Sequence, residues 1–360
     1  MKAVILEQYN KPLVVDDVEI LPLASHDVLV EIGASGVCHS DLSASRGQYP
    51  FTLPIVLGHE GAGIVTDVGS DVSTLKRGDR VIASWVSFCG RCYQCVRGRG
   101  HLCETSGSLA TIPHVRRNGK EFYAMTGLGT MAETMTVNEA SLIRIETELP
   151  DEQLALLGCG VTTGVGAALW TARVEPGTSV AIFGCGGVGL SAVQGASIAG
   201  ASQIIVVDPL PMKRDAALSF GATDAVDPAA GDPVEQIRSL TGGRGVEYSF
   251  EVVGLLQTMR QAFDAACMGG TVTFVGGLRQ DVDIALPANA LHAQAKRILG
   301  SVYGSAQVRR HIPRLVALAE AGRLDLGGMV TRRVTLDDVN DAIDAIEAGE
   351  VIRSVLVPNL

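Results

Sequence analysis

Residues 179–208 read SVAIFGCGGVGLSAVQGASIAGASQIIVVD. An apolar run, SVAIF, enters a glycine-rich turn; a stretch of small residues follows, and a second apolar run, QIIVV, ends on an acid. This order predicts a strand, a tight turn, a helix over 188–199 and a second strand. The turn Gly184-Cys185-Gly186-Gly187-Val188-Gly189 is a G-x-G-x-x-G placed between strand and helix. Gly184 permits the bend, Gly186 lets backbone approach a pyrophosphate, and Gly189 lets helix and strand pack closely. The unpaired N–H groups of the helix start then face the anion. Asp208 stands 24 residues after Gly184, where a carboxylate grips the adenosine ribose hydroxyls and repels a 2′-phosphate. NAD is therefore expected over NADP. The competing reading of Asp208 is a cap for the turn before Pro209, and the competing cofactor is FAD, which shares the fingerprint.

Outward from this unit, strands and helices alternate. The pattern predicts a helix over 212–221, strand DAVD, a helix over 233–240 and strand EYSFEVV. A helix from about 255, then strands TVTFVG and RILGSV, follow. Alternation with short loops implies a doubly wound parallel sheet in an α/β fold. Residues 179–207 carry no charge, which is long enough for a membrane span. Six glycines and the strand–turn–helix–strand division argue for a buried β-α-β unit instead. The first 150 residues differ, with short strands KAVIL, DVLVEIG, GIVTDVG, DRVIAS, ETMTV and SLIRI. After helices over 307–321 and from Thr335, the latter capped by Thr335 and Asp338, the strand RSVLV is expected to rejoin that β-rich part. The expected division is 1–159 with 303–360 around an inserted 160–302.

At 360 residues the chain suggests two domains, and its 47% hydrophobic content describes a globular protein. A formal charge of −10 argues against a nucleic-acid partner. Neither a membrane span nor a signal peptide is recognised, and a cytoplasmic protein is expected.

Four of eight cysteines fall in CGRCYQCVRGRGHLC, residues 89–103. Cys89, Cys92, Cys95 and Cys103 form C-x2-C-x2-C-x7-C, the spacing of a closed tetrahedral zinc site. Disulfides in so short a run would be strained. The bacterial iron–sulfur pattern continues with an earlier fourth cysteine followed by proline. Three further donors sit in glycine-flanked turns: Cys38 in GVCHSD, His59 in GHEGAG and Cys159 in GCGVTTG. Two thiolates and an imidazole are the ligand set of a catalytic zinc with an open fourth position. Cys185 and Cys267 are given no role, Cys267 being read as helical.

With these motifs, GCGGVG, Asp208 and the closing IRSVLV, the chain resembles a zinc-dependent alcohol dehydrogenase of the medium-chain dehydrogenase/reductase superfamily over essentially its whole length. The resemblance implies a Rossmann domain inserted in a GroES-like catalytic domain. It makes Cys38, His59 and Cys159 the catalytic zinc ligands, and two zinc ions per chain. It assigns Ser40 the hydroxyl on the substrate oxygen, Asp41 the acid orienting the imidazole, and Glu60 an acid behind the metal. His39 and Arg353 would face the cofactor pyrophosphate, and Lys213 the adenosine ribose. Gly184, Gly186, Gly187, Val188, Gly189, Asp208 and Val275 would complete the cofactor contacts. Tyr49, Trp85, Met125 and Val302 would line the substrate pocket.

Two departures bear on function. Many relatives carry a histidine five residues after the first zinc cysteine to end a proton relay; this chain has Ser43. Between Leu42 and Leu57 there is no acid, whereas glutathione-dependent formaldehyde dehydrogenases place acids there. The implied reaction is reversible hydride transfer between a primary or secondary alcohol and NAD, giving aldehyde or ketone. The alternatives are an S-(hydroxymethyl)thiol dehydrogenase acting on a mycothiol or glutathione adduct, and, more remotely, a non-enzymatic NAD-binding protein with structural zinc only. The long segment from Cys103 to Cys159 resembles dimeric relatives and implies a homodimer.

Overall fold

The computed structural model describes residues 1–278, 281–358 and 360. The chain divides into two compact units, Met1–Cys159 with Gln307–Gly322 and Leu326–Leu360, and Gly160–Ala306 with Arg323–Asp325. It re-enters the first unit at Gln307 rather than at residue 303. The turn before that point packs onto the second unit, where a Cβ on Gly304 would lie 2.5 Å from Thr162 O and 2.7 Å from Gly166 Cα.

The second unit is a six-stranded parallel sheet. Its order is Asp224–Val226, Gln203–Val207, Ser179–Phe183, Val246–Glu251, Ala266–Phe274 and Arg297–Gly300. This is the doubly wound order expected of a dinucleotide-binding fold. The central strands are apolar on both sides because helices cover both faces. Phe183, Ile205, Val207, Ile237, Phe263 and Val272 form the core, each worth about 1.5–3 kcal/mol when fully buried. The helix expected over 188–199 spans Gly187–Ala199 and stops at left-handed Gly200. Cys267, expected in a helix, stands in the strand Ala266–Phe274.

Helix Gly160–Gly166 and the π-helical stretch Ala167–Ala172 were not expected. Three glycines in seven residues disfavour helix, but close packing overrides propensity: a Cβ on Gly164 would sit 2.2 Å from Val188 O.

In the first unit, an 11-residue strand, Asp27–Val37, is the spine. It pairs antiparallel with Gly61–Val68, Thr134–Asn138 and the returning strand Arg353–Leu356. Leu142–Ile145, Arg80–Ala83 and Val330–Val334 complete a seven-stranded sheet. Gly63 is required within it, because a Cβ there would fall 2.0 Å from Glu31 O. A second, six-stranded sheet includes Lys2–Leu6, Val14–Asp17, Val115–Arg117 and Lys120–Ala124. Its last three members escaped the sequence reading; they are short and rich in charge, without apolar alternation.

Among the described residues no single helix is long and apolar enough to cross a membrane.

Candidate functional site

Strand register assembles the first cluster. Ser35 pairs with Gly61, so Cys38, three residues past one, and His59, two before the other, leave the same end of the sheet. The Gly36 N–H to Glu60 O bond, 2.8 Å, locks the two turns together. Ser354 opposite Val37 brings Arg353 to the same place. Gly158 packs so tightly that a Cβ would lie 2.8 Å from Ala83 O and 3.1 Å from Glu60 Cα, which delivers Cys159. The donor atoms of Cys38, His59, Glu60 and Cys159 all lie within 4.8 Å of one another.

Cys38 caps the helix His39–Ser45, and its N–H donates to Asp41 Oδ2 at 2.9 Å. The other Asp41 oxygen accepts from His59 Nδ1 at 3.2 Å. His59 is 3% exposed, and its Nε2 has no hydrogen-bonding partner. A buried imidazole nitrogen beside two thiols, with its other nitrogen held by a carboxylate, fits a zinc ligand.

Charge at the cluster agrees. The hydrogen bond to Cys159 lowers the Cys38 thiol well below its ordinary value, against the effect of burial. That same bond and burial push Cys159 well up. Burial opposes charge on His59, but Asp41's charge and hydrogen bond outweigh it and hold the imidazole well above its usual value. A cation would take the place of those protons. Burial pushes Glu60 up to about 7, with Arg353 opposing; the Arg353 guanidinium is buried and ion-paired with Glu60.

The second cluster is Cys89, Cys92, Cys95 and Cys103, also with Sγ atoms within 4.8 Å of one another. Backbone N–H groups of Cys92 and Cys95 donate to Cys89 Sγ and Cys92 Sγ, each at 3.4 Å. Such bonds stabilise thiolates. All eight cysteines are free thiols, so four sulfurs are available to one tetrahedral ion.

In the second unit the glycines behave as the turn requires. Gly184 is left-handed at φ +100°, and a Cβ on Gly189 would strike Gly184 O at 1.9 Å. A Cβ on Gly186 would meet nothing within 4 Å; the protein leaves that space open, as a pyrophosphate cradle must be. Asp208 accepts from Cys185 N–H at 2.8 Å and from Leu210 N–H at 2.9 Å. The turn-capping reading is thus present, and a carboxylate retains acceptor capacity beyond those two bonds.

An alcohol dehydrogenase GroES-like domain model matches residues 24–147, and a zinc-binding dehydrogenase model matches 187–321. An S-(hydroxymethyl)glutathione dehydrogenase of Synechocystis sp. is 38% identical, covering 99% of each chain. The chain belongs to the zinc-dependent alcohol dehydrogenases of the medium-chain dehydrogenase/reductase superfamily.

Among solved structures, the dehydrogenase is similar to the benzyl alcohol dehydrogenase of Acinetobacter calcoaceticus, with TM-score 0.93, 30% identity and coverage of 99% of this chain and 98% of that one. It is also similar to a zinc-binding dehydrogenase of Sinorhizobium meliloti bound to NADP, with TM-score 0.85, 31% identity and 99% coverage of both. It is an oxidoreductase, and small alcohols or aldehydes are the substrates its family implies.

The remaining expected residues are distributed as follows. Ser40 is half-buried, its Oγ 3.7 Å from Cys38 Sγ, and His39 is exposed beside it. Tyr49 is half-buried; burial, then the Cys38 and Cys159 charges, raise its phenol. Trp85 packs on the core that contains Val81 and Leu128. Met125 is buried in the core with Leu57 and Met131. Ser43 is buried. In the dehydrogenase's second unit, Val302 is 46% exposed, Val188 and Lys213 are half-buried, and Val275 follows the strand Ala266–Phe274 with its N–H on Glu251 O.

Glu251 went unread. It is fully buried, and its Oε1 accepts from Val253 N–H, Gly254 N–H and Thr258 Oγ1 at 2.7–2.9 Å. It fastens the loop after its strand at the carboxyl edge of the sheet. The available signal was one acid within the apolar run SFEVV.

Proposed function

We propose that the dehydrogenase transfers hydride reversibly between a primary or secondary alcohol and NAD, forming an aldehyde or ketone. The observation that carries this reading is the convergence of Cys38, Cys159 and the partnerless His59 Nε2, with the Ser40 hydroxyl alongside. Zinc held by those three donors would supply Lewis acidity toward the alcohol oxygen, and NAD would accept the hydride. Ser40 takes the alcohol's proton. Ser43 stands where many relatives carry the histidine that ends a proton relay, so the proton leaves Ser40 by a path that does not use that imidazole. Asp41 holds His59 Nδ1 and so leaves Nε2 as the nitrogen that would ligate a zinc. Glu60 and Arg353 form a charge-balanced pair behind the ligands. The four-cysteine lobe would hold a second, structural zinc.

NAD is preferred over NADP in this reading because an acid at the end of the second strand, Asp208, would repel a 2′-phosphate. The free thiols and the −10 charge suit a cytoplasmic protein, and the long segment from Cys103 to Cys159 suits a homodimer.

A second reading, oxidation of an S-(hydroxymethyl)thiol adduct, is favoured by the name of the Synechocystis relative. The absence of any acid between Leu42 and Leu57 disfavours it, since a glutathione amine would find no carboxylate there. Purified enzyme is to be assayed by NADH absorbance with benzyl and aliphatic alcohols, and with formaldehyde plus glutathione or mycothiol. Turnover only with the thiol adducts would replace the first reading by the second.

A further inference from the structure

Residues Tyr303, Gly304 and Ser305 have φ values of +50°, +61° and +54°. Three successive left-handed residues, two of them with side chains, are a costly backbone that persists only where its surroundings impose it. One restraint is steric, since Gly304 lies too close to Thr162 O and Gly166 Cα for any Cβ. Another is the Thr171 hydroxyl. Its Oγ1 bonds Ser301 Oγ at 3.0 Å, just before the turn, and Ser305 Oγ at 2.8 Å, at its end. A hydroxyl donates once and accepts more than once, so Thr171 can serve both partners together. Thr171 stands in the π-helical stretch Ala167–Ala172, and such widened turns frequently mark functional positions.

The turn follows Arg297–Gly300, the last strand of the parallel sheet, and Ser301 N–H extends the ladder to Phe274 O at 2.9 Å. It therefore lies at the carboxyl edge of the sheet, in the second mononucleotide half. The Gly184–Gly189 loop belongs to the first half, which takes the adenosine. The exposed Val302 sits on this turn.

We propose that Thr171 is a positioning residue for the nicotinamide half of the cofactor: its hydroxyl clasps Ser301 and Ser305 and so holds the left-handed turn in the form that receives the nicotinamide. This deepens the dinucleotide reading above and rests on it.

The test uses the purified full chain and compares Thr171→Val, which keeps shape and removes the hydroxyl, with Thr171→Ser, which restores it. Dissociation constants are measured for NADH and for ADP-ribose, which lacks the nicotinamide. The expected result for Thr171→Val is NADH weakened about tenfold with ADP-ribose within about twofold, and recovery of NADH binding in Thr171→Ser. Ser305→Ala, which removes one end of the clasp, should move NADH the same way by less, and serves if Thr171→Val fails to fold. Unchanged NADH binding, or equal weakening of both ligands, overturns the proposal. If the wild type binds NADH yet oxidises no alcohol, the substrate reading fails while the NADH to ADP-ribose ratio still decides the clasp. If the wild type binds neither ligand, the cofactor reading falls, and the proposal with it.

Discussion

Asp41 holds His59 Nδ1 at 3.2 Å with one carboxylate oxygen and the Cys38 N–H at 2.9 Å with the other. One buried acid thus fixes two ligand-bearing turns at once, and the free Nε2 of His59 is a consequence of that orientation. Asn in its place keeps the shape but has one acceptor oxygen for two donors. Asp41→Asn should therefore weaken zinc at this cluster about 10–100-fold, as read by competition with a chromophoric chelator. Unchanged affinity would mean the imidazole needs no such support.

The two sulfur clusters should separate cleanly under mutation. Wild type is expected to bind two zincs, and Cys38→Ala and Cys103→Ala one each. Loss at Cys38 should abolish turnover and lower the melting temperature less than loss at Cys103 does, since only the binding energy of the open-site ion is removed. Loss at Cys103 should lower the melting temperature, because a closed four-thiolate site contributes folding energy. Zinc content by atomic absorption, beside a melting curve, checks both; two zincs retained in Cys38→Ala would remove that residue from the ligand set.

Much of this was legible because the informative residues are forced. Gly189 against Gly184 O and Gly184 at positive φ leave no choice of residue, so the turn advertises itself in sequence. Cysteine spacing in 89–103 is equally constrained by one ion's geometry. What escaped reading depends on tertiary contacts. The helix Gly160–Gly166 forms against its own propensity because Gly164 lets Val188 approach. The Thr171 clasp joins residues 130 apart in sequence, and no local pattern announces such a pair. The short strands Val115–Arg117 and Lys120–Ala124 exist through their pairing, not through apolar alternation.

Gly186 and Gly189 should respond oppositely to alanine. At Gly186 the new methyl enters open space, so the fold should melt as wild type while NADH affinity falls about tenfold or more, the methyl standing where backbone must approach phosphate. At Gly189 the methyl meets Gly184 O at 1.9 Å, and overpacking of this kind costs about 1–3 kcal/mol. Urea unfolding and NADH titration of both variants distinguish them. An unstable Gly186→Ala would show the space is needed by the protein itself.

Acid sensitivity should trace in part to His311. It is buried in the helix Val308–Glu320, and its Nδ1 accepts the Gln307 N–H at 3.1 Å. Burial, followed by the charges of Arg310 and Arg314, lowers its pKa to about 4. An unfolded histidine titrates near 6.5, so between these values the unfolded chain binds a proton that the folded chain refuses. Stability is therefore fully present above about pH 6.5 and is lost as pH falls toward 4. Solvent screening leaves about 1 kcal/mol of this loss by pH 5. His311→Asn keeps an acceptor for Gln307 N–H and removes the titration. Its urea midpoint should fall less than that of wild type between pH 7 and pH 5, with zinc supplied in excess to both; parallel loss in the two proteins would assign the acid sensitivity to other groups.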